Sequence, residues 1–129
     1  MRNKFLSWGL MAGILLPVGV TQTTVPHERA LNAFVRENGV GHAFEKAAPA
    51  TVKGLKRARW TRSFQLGFGG EGLGAFEWAH EEIVAVPRGA AGYTVLRYRT
   101  ESLDPVLRGK ERKKWDRFLA SFKDDSNRD

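Results

Sequence analysis

The chain has 129 residues, a hydrophobic share of 42% and four Trp, eight Phe and two Tyr, which is enough for one modest core and excludes wholesale disorder. It has no cysteine, which excludes disulfides, thiolate nucleophiles and cysteine metal sites together. With 21 Lys and Arg against 14 Asp and Glu, the net charge is +7, and such a surface favours nucleic acid, anionic lipid headgroups or acidic glycans while saying nothing about fold.

The N-terminus carries Arg2 and Lys4, and then no charged side chain from Phe5 to Pro26. Phe5, Leu6, Trp8, Leu10, Met11, Ile14, Leu15, Leu16, Val18 and Val20 make this stretch apolar, the layout of an export signal. Two readings compete, an uncleaved signal anchor and a cleaved signal peptide. Adding Thr21 to Val25 brings the stretch to the ~20 residues that a helix needs to cross hydrocarbon. Pro17 and Gly19 would break such a helix, whereas no A-x-A cleavage site follows in Val18 to Thr23. The anchor is narrowly favoured. The Lys and Arg flanks are nearly balanced, with Arg29 and Arg36 on the far side, so export rests mainly on the signal-like layout. The expected organisation is a targeting segment at 1–26, a small α+β domain at 27–123 and a polar tail at 124–129. The domain is then placed outside the cytoplasm, membrane-anchored if the segment stays and secreted or periplasmic if it is removed.

Val25 to Asn38 reads as a helix, with Leu31, Phe34 and Val35 on one stripe and Asn38-Gly39 as its stop. Between Val40 and Ala58, Ala43, Phe44, Ala47 and Ala48 suggest a helical turn or two before Pro49, and Val52 and Leu55 a second short helix. The period then changes to two: Trp60, Phe64, Leu66 and Phe68 alternate with polar residues, with Arg62 on the apolar face. After the glycine-rich stretch Gly67 to Gly74, Phe76, Trp78, Val84 and Val86 share one face of an extended segment bent near His80 to Glu82. A turn at Pro87 to Gly92 leads into a third strand, Tyr93 to Thr100. Asp104-Pro105 then opens a C-terminal helix whose Trp115, Phe118, Leu119 and Phe122 form one apolar face. The predicted fold class is α+β: an N-terminal apolar helix, short helices, about three antiparallel strands and a C-terminal amphipathic helix.

No chemical motif is complete. The loop Gly67-Phe68-Gly69-Gly70-Glu71-Gly72-Leu73-Gly74 offers backbone N–H groups to an anion, but a strand follows where a phosphate site requires a helix. His80-Glu81-Glu82 could supply a general base beside a carboxylate, or a metal site with His42 and Glu45. Position 84 is Val, so the second histidine of a His-Glu-x-x-His motif is missing, and His27 lies in a different element. No metal or cofactor is expected. Ser63, Ser102, Ser121 and Ser126 lie in no Gly-x-Ser-x-Gly elbow, so the sequence assigns no serine a catalytic role.

The basic clusters carry the functional reading. Lys53, Lys56, Arg57, Arg59 and Arg62 flank Trp60, and Lys110, Arg112, Lys113, Lys114 and Arg117 flank Trp115. Mixed basic and aromatic side chains neutralise phosphates and stack beside them, although the spacing of Trp115 with Phe118 and Phe122 turns it toward a core. The expectation is a non-enzymatic, envelope-associated domain whose basic faces bind an anionic partner: lipid headgroups, an acidic glycan or a partner protein. Two rivals are a small envelope hydrolase using His80 with Glu81 or Glu82, and a membrane-tethered nucleic-acid-binding protein.

Overall fold

The computed structural model describes residues 16–69, 75–102 and 109–122. Five antiparallel strands form one sheet in the order β1-β5-β4-β3-β2: β1 is Val20–Val25, β2 Glu45–Val52, β3 Leu55–Gly69, β4 Ala75–Pro87 and β5 Tyr93–Ser102. Helix α1, Glu28–Asn38, joins β1 to β2, and helix α2, Gly109–Ala120, follows β5.

The sheet is therefore larger than the three strands expected. The added strands are β1 and β2, which lie at its two edges. Five of the six residues of β1, Val-Thr-Gln-Thr-Thr-Val, are β-branched, a composition that stiffens an extended backbone. β2 replaces the first of the short helices expected between Val40 and Ala58, and the start of β3 replaces the second. Lys53 and Gly54 connect these strands with φ of 51° and 81°, the left-handed pair that a two-residue hairpin turn demands. Pro49 falls within the register irregularity between Ala47 and Ala50 on the edge strand β2, a place where a missing N–H is tolerated.

Of the expected apolar helix, Phe5, Leu6, Trp8, Leu10, Met11, Ile14 and Leu15 lie outside the described residues. Leu16 to Gly19 are non-helical, with Val18 95% exposed, and Val20 starts β1 with its side chain in the core. Among the described residues, no helix is long and apolar enough to cross a membrane. Asp104-Pro105 and Gly70 to Gly74 also lie outside the described residues.

Strand alternation divides the core into two layers. Val84, Val86, Leu96 and Tyr98 face α2 and pack on Trp115, Leu119 and Phe122. Ile83, Ala85 and Val95 face the other way, onto Leu31 and Val35 of α1. Among the described residues, the sheet thus has one helix on each face. His27 caps α1 by accepting the Ala30 N–H at 3.1 Å, and the Gly39 N–H closes its end on the Arg36 carbonyl. The Lys53 N–H bonds the Leu119 carbonyl at 3.3 Å, tying the β2–β3 turn to the end of α2.

Candidate functional site

The central strand β4 runs without interruption through Ala79-His80-Glu81-Glu82-Ile83, so Glu81 and Glu82 point to opposite faces of the sheet. Each is 1% exposed. A carboxylate at that depth must be paired and hydrogen-bonded, and the neighbouring strands supply the partners.

On the α1 face, Arg99 of β5 and Arg62 of β3 stand directly opposite Glu81 in the ladder. Arg62 Nε lies 2.5 Å from Glu81 Oε1, Arg99 Nη1 2.9 Å from Oε2 and Arg97 Nη2 3.1 Å from Oε2. Burial alone would raise the Glu81 carboxyl, but the hydrogen bonds from Arg99 and Arg62 and the charge of Arg97 outweigh it and hold the group below its ordinary value. The arginines are themselves fixed. The Arg62 guanidinium lies over the rings of Phe44 and Phe64, at 4.5 and 4.9 Å from their centroids, and donates to the His42 carbonyl. Arg97 donates to Asn38 Oδ1 at 2.6 Å, and Arg99 also pairs with Glu101 at 3.0 Å. Among the described residues, three guanidiniums thus meet two carboxylates, leaving one positive charge in excess.

This excess faces a cleft of about 710 Å³ beside β1, lined by Gly19, Thr21, Arg97, Arg99, Thr100 and Glu101 among others. The wall nearest β1 is tied to the arginines, because the Arg99 N–H bonds the Gly19 carbonyl at 3.0 Å and Thr21 pairs with Arg97.

On the α2 face, Glu82 accepts from Arg59 Nη1 at 3.1 Å, Arg112 Nη1 at 2.5 Å and Trp115 Nε1 at 3.0 Å, and meets His80 Nε2 at 3.2 Å. Burial again opposes ionisation, yet the contact with His80, the charge of Arg112, the Trp115 bond and the charge of Arg59 lower the carboxyl to about 2. Arg112 also reaches Asp116 at 3.4 Å. Among the described residues, two guanidiniums here meet two carboxylates, so these four charges cancel. Ser63, opposite His80 in the ladder, completes this group with Oγ 2.7 Å from Nδ1.

The sequence-predicted basic residues do not form one surface. Arg59 and Arg112 serve Glu82, and Arg62 serves Glu81 across the sheet. Lys53, Lys56, Lys113, Lys114 and Arg117 are exposed, Arg57 is partly buried, and Lys110 lies on the first turn of α2. Trp60 packs against the α1-side core with Lys46 over its ring at 5.0 Å, and Trp115 is buried. His42 stacks on Phe64 on the α1 side, with centroids 4.4 Å apart, so the sheet separates it from His80. Among the described residues, no three His, Cys, Asp or Glu side chains gather as a metal site.

Arg97 and Arg99 were not singled out by the sequence reading. Their signal is alternation: they interleave with the apolar Leu96 and Tyr98, which marks them as the opposite face of the same strand. Comparisons with protein-family models, with curated proteins and with solved structures find no match to this chain.

Proposed function

We propose that the chain is an envelope-associated binding domain whose arginine-lined cleft takes the phosphate of an anionic lipid headgroup. The observation that carries this reading is the excess positive charge of Arg62, Arg97 and Arg99 around Glu81, at the edge of an open cleft. Arg99 keeps 35% of its side chain exposed, and a guanidinium still has donors to offer after pairing with a carboxylate. The location supports the same ligand. The cleft wall at Val18, Gly19 and Thr21 follows directly in sequence on the apolar N-terminal stretch. If that segment enters a bilayer, these arginines are held within a few residues of the headgroup layer, where each contributes ~1 kcal/mol of attraction.

The test compares binding of the full chain to phosphatidylcholine vesicles with binding to vesicles that also contain phosphatidylglycerol. The expected result is a preference for the anionic vesicles that falls roughly five-fold in Arg99→Gln and is unchanged in Lys113→Gln. Arg99→Gln is the right variant because Arg62 and Arg97 continue to neutralise Glu81. A preference that ignores Arg99, or that falls equally with Lys113, would overturn the assignment of the cleft.

A further inference from the structure

We propose that Ser63 is a nucleophile that accepts acyl groups from small activated esters, with His80 as its general base. This reactivity goes beyond lipid binding and belongs to the face of the sheet opposite the arginine cleft. Ser63 and His80 are partners in the β3–β4 ladder and Glu82 lies two residues further along β4, so backbone register alone puts all three side chains on one face. The chain of contacts is continuous, 2.7 Å from Ser63 Oγ to His80 Nδ1 and 3.2 Å from His80 Nε2 to Glu82 Oε2.

The proton positions follow from the carboxylate. Arg59, Arg112 and the Trp115 N–H surround Glu82 and favour its ionised form, which can only accept. In the neutral imidazole Nε2 must then carry the proton and donate it to Glu82, leaving the lone pair of Nδ1 to accept from the Ser63 hydroxyl. That is the order of nucleophile, base and orienting carboxylate used in acyl transfer, here with the two ring nitrogens in exchanged roles. Exposure rises along the same line. Glu82 is buried, the His80 side chain is 14% exposed and Ser63 is on the surface. The base is therefore fixed from inside and the nucleophile is open to solvent.

Attack by Ser63 Oγ forms a bond to the ester carbonyl carbon while the hydroxyl proton passes to His80 Nδ1. The bond to the leaving alcohol breaks, and that proton goes to the departing oxygen. Water then repeats the sequence at the acyl-serine, giving a carboxylic acid and restoring Ser63. Ser63 lies exposed on a strand, so the substrate class is small esters with good leaving groups, which need little stabilisation of the departing charge. Glu82 acts through His80 and is a positioning residue.

The full chain is incubated with a fluorophosphonate probe, whose phosphorus takes the same attack with loss of fluoride, and read by intact mass and peptide mapping. The expected product is a single adduct on Ser63, absent in Ser63→Ala and formed at least about a hundred-fold more slowly in His80→Gln. No adduct, an adduct elsewhere, or an undiminished rate in a His80→Gln chain that melts like the wild type would each overturn the proposal. Should His80→Gln melt early, nitrogen-15 NMR of the unaltered chain decides. A proton on His80 Nε2 supports the relay, and a proton on Nδ1 overturns it.

Discussion

At Glu82 a single buried carboxylate meets four side chains from three elements: Arg59 of β3, His80 of β4, and Arg112 and Trp115 of α2. Removing one partner of such a group costs more than the pair contributes, because the others are left uncompensated. Glu82→Gln is therefore expected to destabilise the fold by about 3 kcal/mol, measured by urea denaturation. Trp115→Phe retains the stacking position on Tyr98 but loses the indole N–H, and a loss of about 1–3 kcal/mol is expected. Acid unfolding has a defined sign. The Glu82 carboxyl is lowered from 4.5 to about 2 on folding, so its contribution is fully present above pH 4.5 and is lost as pH falls toward 2. Glu81 is shifted in the same direction and adds to the slope. Thermal melts between pH 6 and pH 2 should show the loss concentrated below the ordinary carboxylate range, and a flat profile there would contradict the two pairings. None of these partnerships was legible in the sequence. His80-Glu81-Glu82 read as a bend because three polar residues interrupt an apolar face. The arginines that make them tolerable are 16 to 30 residues away in the chain.

Among the elements, α2 was read from its own residues, since Trp115, Phe118, Leu119 and Phe122 repeat at helical spacing and three of them are buried. β1 was not, because Val20 to Val25 adjoins the apolar N-terminus and its uncharged residues fit a continued span as well as a strand. Only pairing with Tyr93 to Tyr98 distinguishes the two. β2 was missed for a different reason. Its alanines suit a helix locally, and its partner supplies the ladder bonds that override propensity. The turn before β5 makes the dependence on backbone testable. Gly92 has φ of 96°, and a Cβ there would run into the carbonyl oxygens of Val25 and Pro26. Gly92→Ala is expected to cost about 2–3 kcal/mol, seen as a lower melting temperature. An unchanged melt would mean that β1 and the turn before β5 are not packed together.

At the scale of the whole molecule, the basic side chains among the described residues do not gather on a single face. The sheet divides the arginines, with a balanced set of charges around Glu82 and one positive charge over around Glu81. Total charge was legible in the composition and its distribution was not, because neither strand register nor the side taken by α2 follows from residue counts. Electrostatic attraction to vesicles should consequently fall as salt rises, while any contribution from the apolar N-terminus should persist. Flotation of the full chain across a salt series separates the two. The proposed location is checked by protease treatment of spheroplasts carrying a C-terminally tagged chain. Digestion is expected, and protection of the intact membrane-bound chain would put the domain in the cytoplasm.

The adjacent glutamates of β4 also have a bearing on how accurately the chain folds. If β4 slipped by one residue against its neighbours, Glu82 would move to the three arginines that now hold Glu81. Ile83 would then sit before Arg59, Arg112 and the Trp115 N–H, leaving buried donors without an acceptor. A slip the other way would bring His80 to the arginines. Apolar alternation also penalises such errors, since a single-residue shift turns every side chain over. Val84, Ala85 and Val86 are alike enough to blunt that penalty, whereas two ion clusters of different composition are not interchangeable. Glu81 and Glu82 together mark the one alignment of the central strand in which both layers close.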